Sequence, residues 1–334
     1  MDLPTIWFVA IAVLWTGYLV LEGFDFGVGL LVPAVGRDET GRRQMINAIG
    51  PVWDGNEVWL ITAIGAMFAA FPAWYAGVLS GFYLPVLAIV LALVLRGVAF
   101  EYRGKLPPRS AAGADVEAVR RWRARWDVAI VAGSAVPAFG WGLVLANVVR
   151  GVELGADGVV RSSLLDLLNP YALLGGLAFL ALSGLHGALF LGLRTTGPVH
   201  ARARRAARLA ALVALPAVTG FLALTGGALA GGLAAALLLV AVAAAARGYE
   251  GRAFAATAGS IALYAVVLFT ALHPALLPSL ISPAHDLTVA GAASGEYTLG
   301  LLSVIGAVFL PLVVAYQAWS YWVFRRRVAP ADVS

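Results

Sequence analysis

Four carboxylates form two pairs within long apolar stretches of the sequence. Glu22 and Asp25 are three residues apart, and so are Asp54 and Glu57, so each pair would share one face of a helix. A charged side chain at the centre of a membrane costs about 2.5–3.5 kcal/mol, and such residues often mark proton or ion routes. Carboxyl groups buried beside one another can bind and release protons near neutral pH. The spacing therefore predicts a proton relay, and the alternative is that the acids only hold helices together.

Asp54 is the strongest candidate for proton transfer. It lies in the segment Gly50–Glu57, where two glycines and a proline loosen the backbone and admit water. On a continuous second helix Asp54 would lie about 14 Å beyond Met45, at a depth similar to that of the first pair. We therefore expect a polar pocket between the first two spanning helices. If the acids are only structural, their expected partners are Asn47, Asn56 and nearby tryptophan indoles.

Glu101 and the histidines raise two further questions of chemistry. Glu101 ends an apolar stretch beside Arg96 and Arg103, where it could form a surface ion pair or take up protons. A b-type haem needs axial His or Met ligands within the membrane, and of the 4 histidines only His186 lies clearly in an apolar stretch. We expect His186 to be a hydrogen-bonded core residue rather than a ligand. With no cysteine, thiolate metal sites are excluded.

The elements that carry these residues must be membrane helices. Of 334 residues, 61% are hydrophobic and only 12% are charged, which lies outside the usage of soluble proteins. Since the hydrocarbon core leaves backbone groups without water, apolar runs of about 20 residues predict helices. We predict an all-α polytopic protein, a single membrane domain over residues 1–334, with about nine transmembrane helices in bundles. The spans lie near residues 5–34, 45–71, 77–100, 127–149, 166–191, 209–228, 230–246, 254–272 and 297–324.

Basic residues fall almost entirely in alternate loops between these spans. The predicted loops of one side hold 21 of the 23 lysines and arginines, including Arg96 and the set 325–327, and only Arg150 and Arg161 remain for the other side. Cytoplasmic loops carry such an excess, so the N-terminus is predicted outside and the C-terminus in the cytoplasm. The net charge of +5 is thereby explained without a nucleic-acid partner. The longest loop of the basic side runs from Glu101 to Trp126 and favours a helix from Asp115 to Arg125.

Several of these segments resemble subunit II of the cytochrome bd-type quinol oxidases of bacterial membranes. The resemblance covers essentially the whole chain, weakly at Trp126-Asp127, Asn169-Pro170 and Trp319. The segments that carry it best are Gly23–Gly29 (GFDFGVG), Met45–Asn47, Gly50–Leu60 (GPVWDGNEVWL), Ser80–Tyr83 and Arg96–Arg103 (RGVAFEYR).

The resemblance implies a location in the bacterial cytoplasmic membrane and a partner, subunit I. That partner would hold two haems b and one haem d, oxidise quinol and reduce dioxygen to water, without pumping protons. This subunit would bind no haem. By resemblance, Asp54 lies on a channel that brings cytoplasmic protons toward the oxygen-reducing haem, Glu101 belongs to the same route, and Trp59 matches a residue associated with oxygen access. Small single-span accessory subunits and a structural quinone in this chain stay open.

Two positions depart from the pattern of this family. Glu57 stands where Gln is frequent, and Glu101 stands where Asp is frequent, so the route of the protons among these acids stays open. Two other function classes would also fit a buried acidic pocket. A proton-coupled secondary transporter is one, although an odd span number without inverted repeats counts against it. A purely structural assembly subunit is the other.

Overall fold

The fold of the chain is all-α, as predicted. A computed structural model describes residues 2–105 and 116–333. Two very short strands, β1 (Ala275–Leu277) and β2 (Leu287–Thr288), pair antiparallel in the proline-rich segment before the last helix. The helices are α1 (Leu3–Val35), α2 (Glu39–Ile49), α3 (Trp53–Ala70), α4 (Pro72–Gly81), α5 (Tyr83–Tyr102), α6 (Val116–Arg150), α7 (Leu164–Leu167), α8 (Pro170–Arg194), α9 (Gly197–Ala246), α10 (Glu250–Leu272), α11 (Val289–Ala292) and α12 (Glu296–Val323).

Helix α1 lies at the centre and packs against α3, α6, α8 and α10. Its closest neighbour at one crossing is α8, where Gly27 faces Gly187. A Cβ atom on Gly27 would lie 1.9 Å from the Ser183 carbonyl oxygen, and one on Gly187 would lie 2.3 Å from the Gly27 backbone. Small residues at such a crossing let two membrane helices approach to backbone contact. The glycines of the GFDFGVG segment thus fix the position of the helix that carries Glu22 and Asp25.

The second and third predicted spans are each divided. Helix α2 ends at Ile49 and α3 begins at Trp53, so the span 45–71 is not one helix and Asp54 lies in the first turn of α3. The predicted 14 Å of helix between Met45 and Asp54 is therefore wrong. The span 77–100 is likewise divided, because α4 ends at Gly81 and α5 begins at Tyr83. Gly50 and Pro51 lie in the first break, where their low helix propensity places the boundary.

Helix α9 is a hairpin of two antiparallel segments. A straight helix of its 50 residues would extend about 75 Å, yet Arg204 near its start donates to the carbonyl oxygen of Ala245 near its end, at 2.9 Å. The chain reverses at Gly227, whose φ of 79° and ψ of 178° are not helical. The two segments correspond to the predicted spans 209–228 and 230–246.

Seven of the described helices are long and apolar enough to cross a membrane, with α9 counted once. Helix α3 has 18 residues, about 27 Å, and its polar first turns keep it out of that set. The total of nine spans and the orientation of the termini stay predictions. Of the predicted helix Asp115–Arg125, α6 contains the part from Val116 onward, while residues 106–115, including Arg109, lie outside the described residues.

The reversal of α9 predicts a glycine-specific effect on stability. Replacing Gly227 by alanine forces a side chain into a backbone region that only glycine adopts readily, at a cost of about 1–3 kcal/mol. We expect Gly227→Ala to lower the midpoint of thermal unfolding of the detergent-solubilised protein. Gly232→Ala in the same hairpin is the matched control, because Gly232 is helical with open space beside it. An equal midpoint for the two variants would contradict the assignment of the turn.

Candidate functional site

A buried arginine lies at the centre of the acidic pocket. The Nη2 atom of Arg96, on α5, is 2.9 Å from both carboxylate oxygens of Glu22 on α1. The same nitrogen is 3.2 Å from Glu57 Oε1 on α3. The side chains of Arg96 and Glu22 are fully buried, whereas that of Glu57 is 24% exposed. One guanidinium therefore joins three helices, and the predicted pocket between α1 and α3 is closed by α5.

The prediction that Arg96 is a loop residue is wrong. It lies within α5, seven residues before Arg103, and is completely buried. Two features of the sequence allow an arginine to be buried at this position. A Cβ atom on Gly133 of α6 would lie 2.7 Å from Arg96 Cβ, so glycine there lets α5 and α6 pack closely. The guanidinium also lies over the rings of Phe26 and Phe100, 4.8 and 5.6 Å from their centroids, where cation–π attraction stabilises it.

Asp25 is held by a separate hydrogen-bond chain that reaches α12. Asn56 Nδ2 donates to Asp25 Oδ2 at 2.7 Å. The other end of the same amide, Oδ1, accepts from Tyr321 Oη at 2.8 Å and from Gln317 Nε2 at 3.0 Å. Of the expected partners, Asn56 is therefore present, while Asn47 is exposed. Asp25 and Glu22 both point into the interior of the bundle, with no exposed surface.

Asp54 and Glu57 line a groove between α3 and α5. The groove has a volume of about 570 Å³ and is otherwise walled by apolar and aromatic side chains, such as Trp53 and Phe68. Asp54 is exposed at one end of it, and Glu57, one turn further along α3, contacts Arg96. The two acids of this pair share a helix face as the spacing predicted. Asp54 does not join the buried cluster directly, but Glu57 connects the groove to it.

Glu101 and Trp59 lie at the margins of this arrangement. Glu101 is exposed, and within the part of the chain that the structure describes it forms no ion pair, since Arg96 and Arg103 bind other acids. Trp53 packs on Phe100 with ring centroids 5.2 Å apart, so the residues preceding Asp54 and Glu101 are in contact. The ring of Trp59 packs on α1, where a Cβ atom on Gly17 would lie 2.4 Å from it. Trp59 does not line the groove.

A second ionic network fixes α2 at one end of the bundle. It lies at the end of the bundle that carries Arg103, Arg194 and Arg327, called here the arginine-rich end. Arg103 contacts Asp127 at 2.5 Å and Glu39 at 2.9 Å, and Arg42 contacts Asp127 at 2.8 Å. This network joins the start of α2 to the end of α5 and the start of α6.

Asp38 caps the same helix. The hydrogen bond from the backbone N–H of Gly41, at 2.7 Å, holds the pKa of Asp38 below its usual range. Asp38 is therefore an anion at neutral pH, as a cap at a helix N-terminus favours.

His186 is a packed side chain of the interior. Its Nδ1 lies 2.7 Å from Thr257 Oγ1, and its ring stacks on Phe254 with centroids 4.3 Å apart. This contact agrees with the expectation of a hydrogen-bonded core histidine. Among residues 2–105 and 116–333, no group of three or more His, Cys, Asp or Glu side chains could hold a metal ion.

Sequence reasoning missed three members of the site, namely Arg96, Gln317 and Tyr321. The rule that flagged the four acids, charge within an apolar run, applies equally to Arg96, which lies inside the stretch 83–100. Gln317 and Tyr321 are four residues apart, so their polar groups share one face of the last apolar helix. Asn56 was expected as a partner of the acids, but its pairing with α12 had no signal in the sequence, because contacts between distant helices are not encoded by local spacing.

Nearly the whole chain matches known proteins in sequence. The sequence profile described as cytochrome bd terminal oxidase subunit II matches residues 3–324. The chain belongs to this family. Cytochrome bd ubiquinol oxidase subunit 2 of Bacillus subtilis (strain 168) is 40% identical over 98% of this chain and 97% of that protein. Cytochrome bd-I ubiquinol oxidase subunit 2 of Escherichia coli (strain K12) is 33% identical over 98% and 96%.

The structural comparison shows the same fold. The bd oxidase structure from Geobacillus thermodenitrificans superposes with a TM-score of 0.72 over 97% of this chain and 99% of that chain, at 19% identity. The sequence matches confirm the resemblance to subunit II, and the transporter alternative is not favoured. As a cytochrome bd subunit II, the chain is a multi-pass protein of a bacterial membrane and part of an oxidoreductase complex with a subunit I.

The central position of Arg96 predicts a large loss of stability when the side chain is removed. Arg96→Met leaves the buried Glu22 carboxylate without its cation, which costs about 3–5 kcal/mol. We expect a lower thermal midpoint and a lower yield of assembled oxidase. Adding Glu22→Gln should restore part of the loss, because the uncompensated charge is then absent. Arg120→Met, which breaks a pair whose arginine is 76% exposed, should change stability by about 0–1 kcal/mol. An equal effect of Arg96→Met and Arg120→Met would contradict the importance of the buried pair.

Proposed function

We propose that this chain is the haem-free subunit II of a cytochrome bd-type quinol oxidase and supplies its partner with protons from the cytoplasm. The arginine-rich end is the cytoplasmic one, and the N-terminus lies outside. The partner, subunit I, would hold two haems b and one haem d, which would supply the redox chemistry for quinol oxidation and for reduction of dioxygen to water. Because protons are consumed from the inside and released outside, the complex generates proton-motive force without pumping.

One observation supports this function above the others: polar side chains follow one another from the groove to the interior. Asp54 lies at the exposed end of the groove, Glu57 follows on the same helix face, and Glu57 contacts Arg96 at 3.2 Å. Arg96 in turn contacts Glu22 at 2.9 Å. Glu57 and Glu22 contact the same nitrogen of Arg96, so ordered water can pass a proton between their two carboxyl groups. Glu101, on the adjacent helix at the arginine-rich end, is placed to collect protons from solvent near Asp54.

The charge of the buried cluster supports proton storage. Glu22, Asp25 and Glu57 are three carboxyl groups, and among the described residues the only cation in contact with any of them is Arg96, which binds Glu22 and Glu57. Burying excess negative charge is unfavourable unless the charge is paired or neutralised. Uptake of a proton by one of the acids relieves this excess. A cluster of this kind can therefore hold a proton and release it when its surroundings change.

Unsatisfied polar atoms in the cluster point to water as the carrier between side chains. Asp25 Oδ1 and the Nε and Nη1 atoms of Arg96 are buried and have no hydrogen-bond partner among the described residues. Buried polar atoms in folded proteins are nearly always satisfied, commonly by ordered water. Water at these atoms would connect Asp25 to Arg96 and, through it, to Glu57. The buried part of the path, from Glu57 to Asp25, would then have no apolar gap.

The outer wall of the groove fits a protein partner. Ile61, Phe68 and Val94 are 71%, 60% and 59% exposed, which suits lipid or another membrane helix. A partly exposed carboxylate, Glu57, lies among them, and a lipid tail cannot hydrogen-bond to it. We therefore assign this surface to subunit I, while lipid or small accessory subunits would cover the remaining apolar faces, such as that of α12. Oxygen access beside Trp59 is part of the same proposal.

The role of Asp54 is tested in the purified two-subunit oxidase. Asp54→Asn keeps the size of the side chain and removes its proton, so oxygen consumption with quinol should fall by at least about tenfold, in line with loss of a general acid–base group. The haem bands in the reduced-minus-oxidised spectrum should stay unchanged. Glu296→Gln, at an exposed position in the first turn of α12, is the matched control.

Two results would overturn the proposal. Unchanged oxygen consumption in Asp54→Asn would show that no essential proton passes this carboxyl group. Loss of haem together with activity would show that Asp54 acts in assembly, as a structural subunit requires. The assignment to an oxidase itself would be contradicted if the chain were purified from its native membrane alone and colourless, without a partner that contributes b and d haem bands.

A further inference from the structure

Helix α12 is the least packed long helix of the bundle, yet it contributes polar groups to the acid site. Leu299 is its one buried residue, and most of its remaining surface is apolar and exposed. Near the arginine-rich end, however, Gln317 and Tyr321 turn inward and are half-buried. Both donate to one atom, Asn56 Oδ1. A hydrophobic helix is stable in lipid without such hydrogen bonds. The contact of Gln317 and Tyr321 with Asn56 therefore indicates a specific position of α12 against α3.

The two donors decide which end of the Asn56 amide faces Asp25. An amide oxygen has two lone pairs, and the bonds of 2.8 Å from Tyr321 and 3.0 Å from Gln317 occupy both. The NH₂ group must then point the other way, where it donates to Asp25 Oδ2 at 2.7 Å. Without the donors, the amide can turn over and present its oxygen to Asp25, an arrangement that pairs with a protonated carboxyl group and repels a carboxylate.

The approach of α12 to this site depends on a small residue in α3. A Cβ atom on Gly55 would lie 3.3 Å from Gln317 Oε1, so a larger side chain at that position would press on the amide of Gln317. Beyond the helix, the tail that follows α12 is also tied down. Val328 N donates to the Arg194 carbonyl oxygen at 2.8 Å, and Gln44 Nε2 donates to the Val328 carbonyl oxygen at 2.7 Å. The C-terminal end of α12 is thereby anchored to α8 and α2.

We propose that Tyr321 and Gln317 are positioning residues that fix the amide of Asn56 so that it donates to Asp25. They do not carry protons themselves. By fixing the amide, they determine whether Asp25 is more stable as a carboxylate or as a protonated carboxyl group. The inference rests on the proposed proton path, and it adds to that path a helix, α12, whose polar residues neither composition nor the four-acid pattern had marked.

The test uses the intact two-subunit oxidase with quinol as the electron donor. Tyr321→Phe and Gln317→Leu each remove one donor and keep the bulk of the side chain, and the double variant removes both. Loss of one such hydrogen bond corresponds to a change of about fivefold, so we expect oxygen consumption to fall by about that factor, with haem content unchanged. Tyr316→Phe is the matched control, because it makes the same chemical change on the same helix at a position that is 66% exposed.

The pH profile separates positioning from a structural role. In the double variant the profile of oxygen consumption should shift to higher pH, because an amide that can turn over favours the protonated form of Asp25. The carboxyl stretching band that disappears in Asp25→Asn should also shift in the infrared difference spectrum of Tyr321→Phe. In an Asn56→Leu background, neither Tyr321→Phe nor Gln317→Leu should have any further effect on the profile.

The outcomes distinguish this inference from the proposed function. If Asp25→Asn slows oxygen consumption but the double variant has the profile and infrared band of Tyr316→Phe, the positioning role is wrong and the proton path stands. If Asp25→Asn leaves oxygen consumption unchanged, Asp25 is not on the proton path. Both its place in the path and the positioning role of α12 are then wrong. If the double variant does not assemble, the single variant Tyr321→Phe, which loses one hydroxyl group, decides by the same two measurements.

Discussion

The ion pair between Arg96 and Glu22 is the interaction on which the rest of the site depends. Both side chains are fully buried, and neither charge could stay there alone, because an isolated ion in a low-dielectric interior is strongly unfavourable. The pair therefore constrains four helices at once: α5 must approach α1 closely, α6 must yield space at Gly133, and α3 must place Glu57 within reach. A groove that ends at a carboxylate follows from that packing.

The same constraint explains why the buried carboxyl groups belong to two separate hydrogen-bond systems. Glu22 and Glu57 share the guanidinium, whereas Asp25 is turned toward Asn56. Since Glu22 and Asp25 are three residues apart on one helix, their carboxyl groups lie near one another and still have separate partners. One acid is held mainly by charge and the other by a neutral amide. Two neighbouring acids in unlike surroundings are the arrangement in which a proton prefers one site over the other.

Much of this fold follows from sequence by simple rules, and the departures have physical causes. Apolar runs placed the long helices α1, α8 and α10 within a few residues, because length and hydropathy decide insertion. The same rule predicted α2 and α3 as one span, because it considers only apolar character and ignores the helix-breaking effect of Gly50 and Pro51. For the site, it found the four acids by their cost. The bias of basic residues toward one side assigned Arg96 to a loop, because arginines are so common at this end of the helices.

Relationships between helices distant in sequence could not be obtained in this way. The contact of Tyr321 with Asn56 joins residues 265 positions apart, and nothing in the local pattern around either one specifies the other. Hydrophobic periodicity cannot supply it either, because α12 is apolar on nearly all sides and a uniformly apolar helix has no preferred face. The orientation of such a helix must come from its few polar groups. Ser303 accepts from Trp7 Nε1 of α1 at 3.1 Å, whereas Gln317 and Tyr321 meet at Asn56. One of the interactions that orient α12 is therefore also the one that determines what Asp25 faces.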